Sequence, residues 1–125
     1  MKDLKEVLTE KEIKAVEKLK QGLEKLYGDN LARLILYGSK ARGDAEEGSD
    51  IDILVVLKEM GSNYSEIKKI NTVAAPICLE YNIALSAIPK KLERFNPFFA
   101  VERIYRRSIL HKIVVARFIG LCSIN

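Results

Sequence analysis

Residues 36–55 of this chain have the sequence LYGSKARGDAEEGSDIDILV. The first two of them end a short apolar run, Leu31 to Tyr37, and Gly38-Ser39 follow directly. After ten intervening residues, an Asp-x-Asp sequence formed by Asp50 and Asp52 opens a second run, which is rich in Ile and Val. Short apolar runs bounded by turn residues are typical of buried strands. The stretch therefore predicts strand, turn, polar loop and strand.

The two aspartates predict a metal site. Because side chains alternate along a strand, Asp50 and Asp52 should lie on the same face, about 6.6 Å apart along the chain. Such a pair suits Mg²⁺, which takes one or two protein carboxylates together with phosphate oxygens and water. Two metal ions about 3.5–4 Å apart stabilise both oxygens of an in-line phosphoryl displacement. We therefore expect Mg²⁺ at Asp50 and Asp52, in a two-metal arrangement.

The turn before the aspartates predicts a phosphate site. Gly38 permits close approach of a backbone, and Ser39 adds a hydroxyl donor next to a turn whose N–H groups can face an anion. Arg42 follows three residues after Ser39, and its planar fork of donors suits phosphate. We also assign nucleotide binding to Ser49, which directly precedes Asp50. The competing interpretation makes Ser39 a helix cap and leaves Asp52 on an exposed edge.

Around this stretch the sequence predicts an α+β domain, with helices packed on a small sheet. Thr9 and Glu12 form a capping-box pattern, from which a helix is expected to start. A proline should kink the second helix or separate its last turn. The expected helices cover 10–27, a segment from 64 that contains Pro76, and a segment from Asn96-Pro97 to Arg107. The expected strands cover 31–37, 50–57 and 82–88, the last closed by Pro89. For the tail over 108–125, strand and helix both stay open. No repeat or linker interrupts the chain, so one domain over 1–125 is predicted.

Composition excludes several classes of protein. The chain has 125 residues, 48% of them hydrophobic and 30% charged, which is ordinary for a globular domain. No apolar run reaches the roughly 18 residues that cross a bilayer, and the first residues lack a secretion signal, so we expect a cytoplasmic protein without a membrane partner. The net charge of +4 suits an anionic ligand. No aromatic-interleaved basic stripe accompanies it, which makes nucleic acid an unlikely partner.

The run from Gly38 to Gly43, followed by Ser49 to Ile53, resembles the signature of the minimal nucleotidyltransferases, small members of the DNA polymerase β-like superfamily. The resemblance implies a small mixed sheet flanked by helices and transfer of a nucleoside monophosphate from an NTP, often ATP. It assigns the triphosphate to Gly38 and Ser39, the magnesium to Asp50 and Asp52, and a phosphate contact to Arg42. Several relatives pair as antitoxins with a helical HEPN protein and modify a tyrosine on it.

One departure from the superfamily pattern bears on activity. The superfamily carries a third carboxylate on a later strand, and here that position aligns with Ala84, which has no ligating atom. Asn82 offers a neutral oxygen, and Glu80 precedes the strand. Loss of a base and a metal ligand costs orders of magnitude in transfer rate. We therefore hypothesise that triphosphate binding is retained while transfer is reduced or absent.

Three functions stay open from the sequence. The leading one is an enzyme that needs Mg²⁺ and transfers a nucleotide to an acceptor hydroxyl. The second is a catalytically weak or inactive nucleotide-binding subunit of an antitoxin type, which Ala84 favours. RNA binding, which rests on charge alone, comes last. The sequence leaves open which NTP and which acceptor are used, and whether the chain forms a homodimer or a heteromer.

Overall fold

A computed structural model of the chain describes residues 7–42, 46 and 48–94. Its elements in chain order are α1 (Glu10–Tyr27), β1 (Leu31–Tyr37), α2 (Gly38–Arg42), β2 (Ile51–Leu57), α3 (Asn63–Tyr81) and β3 (Leu85–Lys91). Short 3-10 turns follow α1 at Gly28–Asn30 and follow β3 at Leu92–Arg94. The predicted helix from Asn96 to Arg107 and the tail over 108–125 lie outside the described residues. A single domain over 1–125 stays a prediction.

The start and end of α1 confirm the capping prediction. The Thr9 side chain accepts a hydrogen bond from the Glu12 backbone N–H, and the Glu12 side chain accepts one from the Thr9 backbone N–H. These two bonds satisfy helix-terminal donors that have no partner within the helix. Gly28 ends the helix with a φ of 55°, a conformation that a residue without a side chain adopts at little cost.

The three strands form a mixed sheet in the order β1-β2-β3, and this arrangement with its flanking helices confirms the α+β class. β1 pairs antiparallel with β2, and β2 pairs parallel with β3. Parallel neighbours need a long crossover connection, and α3 supplies it. As a consequence, the end of β1 and the beginnings of β2 and β3 meet at the same edge of the sheet, where the motif residues lie.

The core lies between the sheet and the two long helices. Its fully buried members come from every layer: Leu19 and Leu23 of α1, Leu34 and Leu36 of β1, Ile51, Ile53 and Val55 of β2, and Ile70 of α3. Burial of one such side chain stabilises the fold by about 1.5–3 kcal/mol. α1 and α3 approach so closely that a Cβ on Gly22 would collide with the side chain of Val73. This core fixes the sheet edge on which the site is built.

Two boundary predictions were wrong. β3 begins at Leu85 and runs through Pro89 to Lys91, whereas the sequence placed it over 82–88 with Pro89 as its end. Asn82 is instead the left-handed cap of α3, with a φ of 52°, so the strand starts later. Pro89 is accommodated because β3 is an outer strand of the described sheet, where a missing N–H donor is tolerated.

Of the two expected effects of Pro76, a kink or a separated last turn, the separation is wrong. α3 is one helix from Asn63 to Tyr81, with Pro76 inside it and exposed. The proline removes one backbone hydrogen bond, and packing of Ile70, Ala74 and Ile77 against the core holds both sides in one helix. None of the described helices combines the length and the hydropathy that crossing a membrane requires.

Candidate nucleotide and metal site

The register of the sheet places Asp52 between two polar side chains. Asp52 pairs with Tyr37 on β1 and with Ser86 on β3. Because directly paired residues present their side chains on the same face, all three belong to one face of the sheet. Asp50 lies one residue before β2 and is exposed. Both aspartates therefore lie at the sheet edge where β1 ends and β3 begins.

Gly38 brings the turn against the Asp52 carboxylate. Its φ is +80°, and a Cβ built on it would collide with the Asp52 Oδ2 atom and lie 3.0 Å from the Asp52 Cγ atom. Any other residue would be strained by its backbone conformation and would also displace the carboxylate. The Gly-Ser and Asp-x-Asp parts of the motif, separate in sequence, are therefore adjacent in space.

The turn itself is the five-residue helix α2, which begins at Gly38 directly after β1. The first N–H groups of a helix have no partner within the helix and remain available to an anion. Ser39 is half-buried next to the start of α2, and Ser49 is half-buried next to Asp50. Arg42 ends the turn, and its side chain lies outside the described part of the chain, so its phosphate contact stays a prediction.

Tyr37 contributes a half-buried phenol beside the aspartate. Burial raises the pKa of its hydroxyl, and the negative charge of Asp52 raises it further. At neutral pH the phenol therefore stays protonated and adds no charge to the edge. The sequence analysis treated Tyr37 only as the end of a strand; its place beside Asp52 depends on the register between β1 and β2.

The sequence analysis also missed an ion pair between α1 and the turn. The Lys40 ammonium lies 2.7 Å from the Glu12 Oε2 atom, and the side chains are 12% and 10% exposed. Burial raises the pKa of Glu12, but hydrogen bonds from Lys40 and Thr9 and the charge of Lys40 outweigh burial, so the pKa is lowered below its usual range. Glu12 was identified in the sequence as a capping residue, and nothing in the sequence paired it with Lys40.

A cavity of about 840 Å³ opens beside these residues. Its walls come from the start of α1, the turn, the loop before β2 and the start of β3: Thr9, Lys11, Glu12, Lys40, Glu46, Gly48, Ser49, Asn82, Ile83 and Ala84. Ala84 is exposed and directly precedes Leu85, the register partner of Ile51, so it lies next to Asp50. The carbonyl oxygen of Ala84 accepts a hydrogen bond of 2.9 Å from the Ile51 N–H.

The two substitutes considered for the missing carboxylate differ in their surroundings. Glu80 is exposed on α3 and pairs with Lys18 at 2.8 Å, so an ion pair away from the motif accounts for it. Asn82 caps α3 and lines the cavity. Over the described residues, no group of three His, Cys, Asp or Glu side chains gathers in an arrangement suited to a metal ion.

The residues present nevertheless fit a magnesium ion bound with a triphosphate. Two carboxylates at one sheet edge supply the hard oxygen donors that Mg²⁺ prefers, and phosphate and water complete its ligands. The turn that begins at Gly38 lies directly against one of these carboxylates, since a Cβ on Gly38 would collide with the Asp52 Oδ2 atom. The donor set therefore suits a metal ion shared between the protein and a phosphate ligand.

Comparison with known proteins identifies the family of the chain. The family model described as a nucleotidyltransferase domain matches residues 16–111. The chain belongs to this nucleotidyltransferase family. Two proteins of Methanocaldococcus jannaschii, both named as candidate protein adenylyltransferases, are similar to it. One is 40% identical over 76 residues, covering 61% of this chain and 76% of the relative; the other is 34% identical over 101 residues, covering 81% and 93%.

Among solved structures, this nucleotidyltransferase is similar to a candidate nucleotidyltransferase from Sulfolobus solfataricus, whose crystal structure was determined at 1.40 Å resolution. The sequence identity is 24%, the TM-score is 0.47, and the match covers 77% of this chain and 78% of that chain. The family assignment rests on the sequence matches and confirms the resemblance identified from residues 38–53.

Proposed function

We propose that this nucleotidyltransferase binds an NTP together with Mg²⁺, ATP being the first candidate, and transfers its NMP to an acceptor hydroxyl. The observation that carries the proposal is the contact between the turn and the carboxylate: Gly38 lies so close to Asp52 that no side chain fits between them. A triphosphate bound to the N–H groups of α2 is therefore next to the carboxylates that hold its metal ion.

In the proposed reaction the acceptor oxygen attacks the α-phosphorus, a new P–O bond forms, and the bond to pyrophosphate breaks. Bound Mg²⁺ supplies charge stabilisation for the phosphate oxygens. Ser39 and the first N–H groups of α2 orient the phosphates, and Asp50 and Asp52 fix the metal. Because Ala84 provides no base beside Asp50, the hydroxyl proton passes to water in the adjacent cavity. Positioning contributes most of the catalysis in phosphoryl transfer of this kind.

The relatives favour a protein as the acceptor. Both M. jannaschii proteins are named as candidate protein adenylyltransferases. We therefore propose that the acceptor is a side-chain hydroxyl of a protein, and that a helical HEPN-type protein is the first partner to test. An antitoxin-like subunit that holds a nucleotide without transferring it is the second candidate, since Ala84 leaves Asp50 without a third carboxylate.

The test is incubation with each labelled NTP and Mg²⁺, with nucleotide binding and pyrophosphate release measured on the same sample. The variant Asp50→Ala/Asp52→Ala is the control, because it removes both metal carboxylates. Binding with release that the double variant loses supports the enzyme. Binding without release, with the HEPN-type partner also present, supports the holding subunit. Absence of binding to the folded protein contradicts the proposal.

A further inference from the structure

The Glu12–Lys40 ion pair differs from the ion pairs on the surface of the protein. Its side chains are 12% and 10% exposed, whereas those of the Lys18–Glu80 pair are 48% and 52% exposed at nearly the same separation of 2.8 Å. Exposed pairs contribute little because water screens them, while an enclosed pair in good geometry holds its two groups in place. Glu12 and Lys40 therefore connect α1 firmly to the turn.

The two oxygens of the Glu12 carboxylate have separate partners. Oε1 accepts a hydrogen bond of 2.9 Å from the Thr9 N–H, and Oε2 lies 2.7 Å from the Lys40 ammonium. The first contact fixes the start of α1, whose apolar face is packed in the core. The second contact reaches a residue of α2. The Glu12 carboxylate thus connects the turn to α1, which is packed in the core.

The turn needs such a connection. α2 has five residues, far fewer than the ~12–15 that a helix requires for stability on its own. It begins at Gly38, the residue with the fewest conformational restraints on its backbone. Lys40 lies two positions after Gly38 and next to Ser39. A restraint on Lys40 therefore acts on the segment whose N–H groups and hydroxyl are assigned to the triphosphate.

We infer that Glu12 is a positioning residue for nucleotide binding: through Lys40 it holds the Gly38–Arg42 turn in the arrangement that receives the triphosphate. The inference rests on the proposed function for its consequence, since binding of an NTP is what the restraint serves. The restraint itself is a property of the protein without nucleotide. Glu12 acts without touching the ligand, and its effect appears as the fraction of molecules in the competent arrangement.

Glu12→Gln separates this role from helix capping. Glutamine at this position still accepts from the Thr9 N–H, because Gln serves in a capping box as Glu does. Its amide group cannot form an ion pair with Lys40. Lys40→Met removes the other partner, Lys40→Arg keeps the charge, and Lys18→Met is a matched control that breaks a surface ion pair of the same type. All four variants keep the apolar core unchanged.

Two measurements decide the inference. The first is hydrogen exchange of the amides of residues 38–42 without nucleotide, where Glu12→Gln and Lys40→Met should exchange faster than wild type while Lys40→Arg and Lys18→Met should not. The second is the Kd for ATP with Mg²⁺. If the competent turn falls to about a tenth of the population, the apparent Kd rises about tenfold in Glu12→Gln and Lys40→Met. The double variant Glu12→Gln/Lys40→Met should bind ATP no more weakly than either single variant, because both substitutions remove the same contact.

The outcomes separate the inference from the proposed function. Unchanged exchange across the turn in Glu12→Gln overturns the positioning role, whatever the affinity. Weaker binding in Lys40→Met with unchanged exchange also overturns it, since Lys40 would then contact the nucleotide itself. Faster exchange with unchanged Kd shows that the restraint does not serve binding and overturns the inference as well. If wild type binds no nucleotide, the proposed function fails, and exchange alone still decides whether the pair restrains the turn.

Discussion

The described residues contain two buried carboxylates, Glu12 and Glu66, at 8% and 4% exposure. Each lies in the first turn of a long helix. Glu66 accepts hydrogen bonds from the Gly61 N–H at 2.9 Å and from the Tyr27 hydroxyl at 3.0 Å. These contacts join the start of α3 to the end of α1, at the sheet end away from the motif. Glu66 also pairs with the exposed Lys69 ammonium at 3.7 Å, so its partners all lie at this end of the sheet.

Glu12 also lies in the first turn of a long helix, but its carboxylate contacts a different part of the fold. One oxygen accepts a backbone hydrogen bond from Thr9, and the second forms an ion pair with Lys40 in the Gly38–Arg42 turn. At that end of the sheet Gly38 has a positive φ and lies against the Asp52 carboxylate. Ala84 is exposed next to Asp50. In the proposed function, the buried charge of Glu66 serves stability at one end of this sheet and that of Glu12 serves ligand binding at the other.

The largest effect is expected from Gly38→Ala. The added Cβ meets the Asp52 carboxylate at a φ of +80°, so the turn or the carboxylate must move. Displacement of about 1 Å in such a site costs on the order of 100-fold. We expect the Kd for ATP with Mg²⁺ to rise by about that factor, measured by titration on protein whose circular dichroism shows it to be folded.

Gly28→Ala is the matched control for this substitution. Gly28 also has a positive φ, of +55°, but no atom lies within 4 Å of a Cβ built there. Its substitution should lower stability by about 1–3 kcal/mol through backbone strain and leave the Kd unchanged. Equal losses of affinity in both variants would mean that strain rather than contact with Asp52 is responsible, and would contradict the proposed site.

Glu66→Gln should affect stability and leave the site unchanged. The amide oxygen still accepts from the Gly61 N–H, but the Tyr27 hydroxyl loses the charged acceptor to which it donates. A hydrogen bond to a charged group contributes about 1.5–3 kcal/mol. Urea unfolding should show this loss, while the Kd for ATP of the folded variant stays at the wild-type value. A change in Kd without loss of stability would remove the distinction between the two ends.

A third carboxylate should raise activity more at one of the two positions next to the aspartates than at the other. Ala84→Asp places an acid next to Asp50, and general-base assistance contributes about 10²–10⁴-fold to proton transfer. With geometry set by this chain alone, we expect at least about a tenfold gain in pyrophosphate release. Ser86→Asp, next to Asp52 in the register, is the matched control and should gain less. An equal gain from both would contradict the alignment of the missing carboxylate with position 84.

The sequence predicted those parts of the fold that depend on local patterns. The capping pair at Thr9 and Glu12 and the stop at Gly28 gave the bounds of α1, and the apolar run gave the bounds of β1 as observed. The predicted start of β3 was wrong because Asn82 caps the end of α3 in the left-handed conformation. Pro89 lies inside β3 because that strand is at an edge, which depends on sheet order.

In the candidate site, too, the sequence predicted the residues that depend on spacing along the chain and missed those that depend on strand pairing and packing. Gly38, Ser39, Asp50 and Asp52 were selected from spacing along the chain, and the structure brings Gly38 and Asp52 together. Tyr37 and Ser86 were not recognised, because their places beside Asp52 follow from the register of pairing between strands. The Glu12–Lys40 pair was missed for a similar reason: it joins residues 28 positions apart through packing of α1 near the turn.

The smallest expected effect is a pH dependence of the Glu12–Lys40 pair. Glu12→Gln should lower the free energy of unfolding by about 1 kcal/mol at pH 7, the net contribution of a typical intramolecular hydrogen bond. The pKa of Glu12 is lowered from its ordinary value of 4.5, chiefly by Lys40 and Thr9 against the opposing effect of burial. A carboxyl with a lowered pKa stabilises the folded state above its unfolded pKa, and this contribution disappears as pH falls through the folded pKa.

The difference in unfolding free energy between wild type and Glu12→Gln should therefore be constant from pH 7 to about 5 and shrink below 4.5. Lys40→Met should show the same window, since it removes the same pair. A difference that persists unchanged to pH 3 would mean that the negative charge of Glu12 is not what stabilises the folded state, and the contrast drawn between Glu12 and Glu66 would disappear.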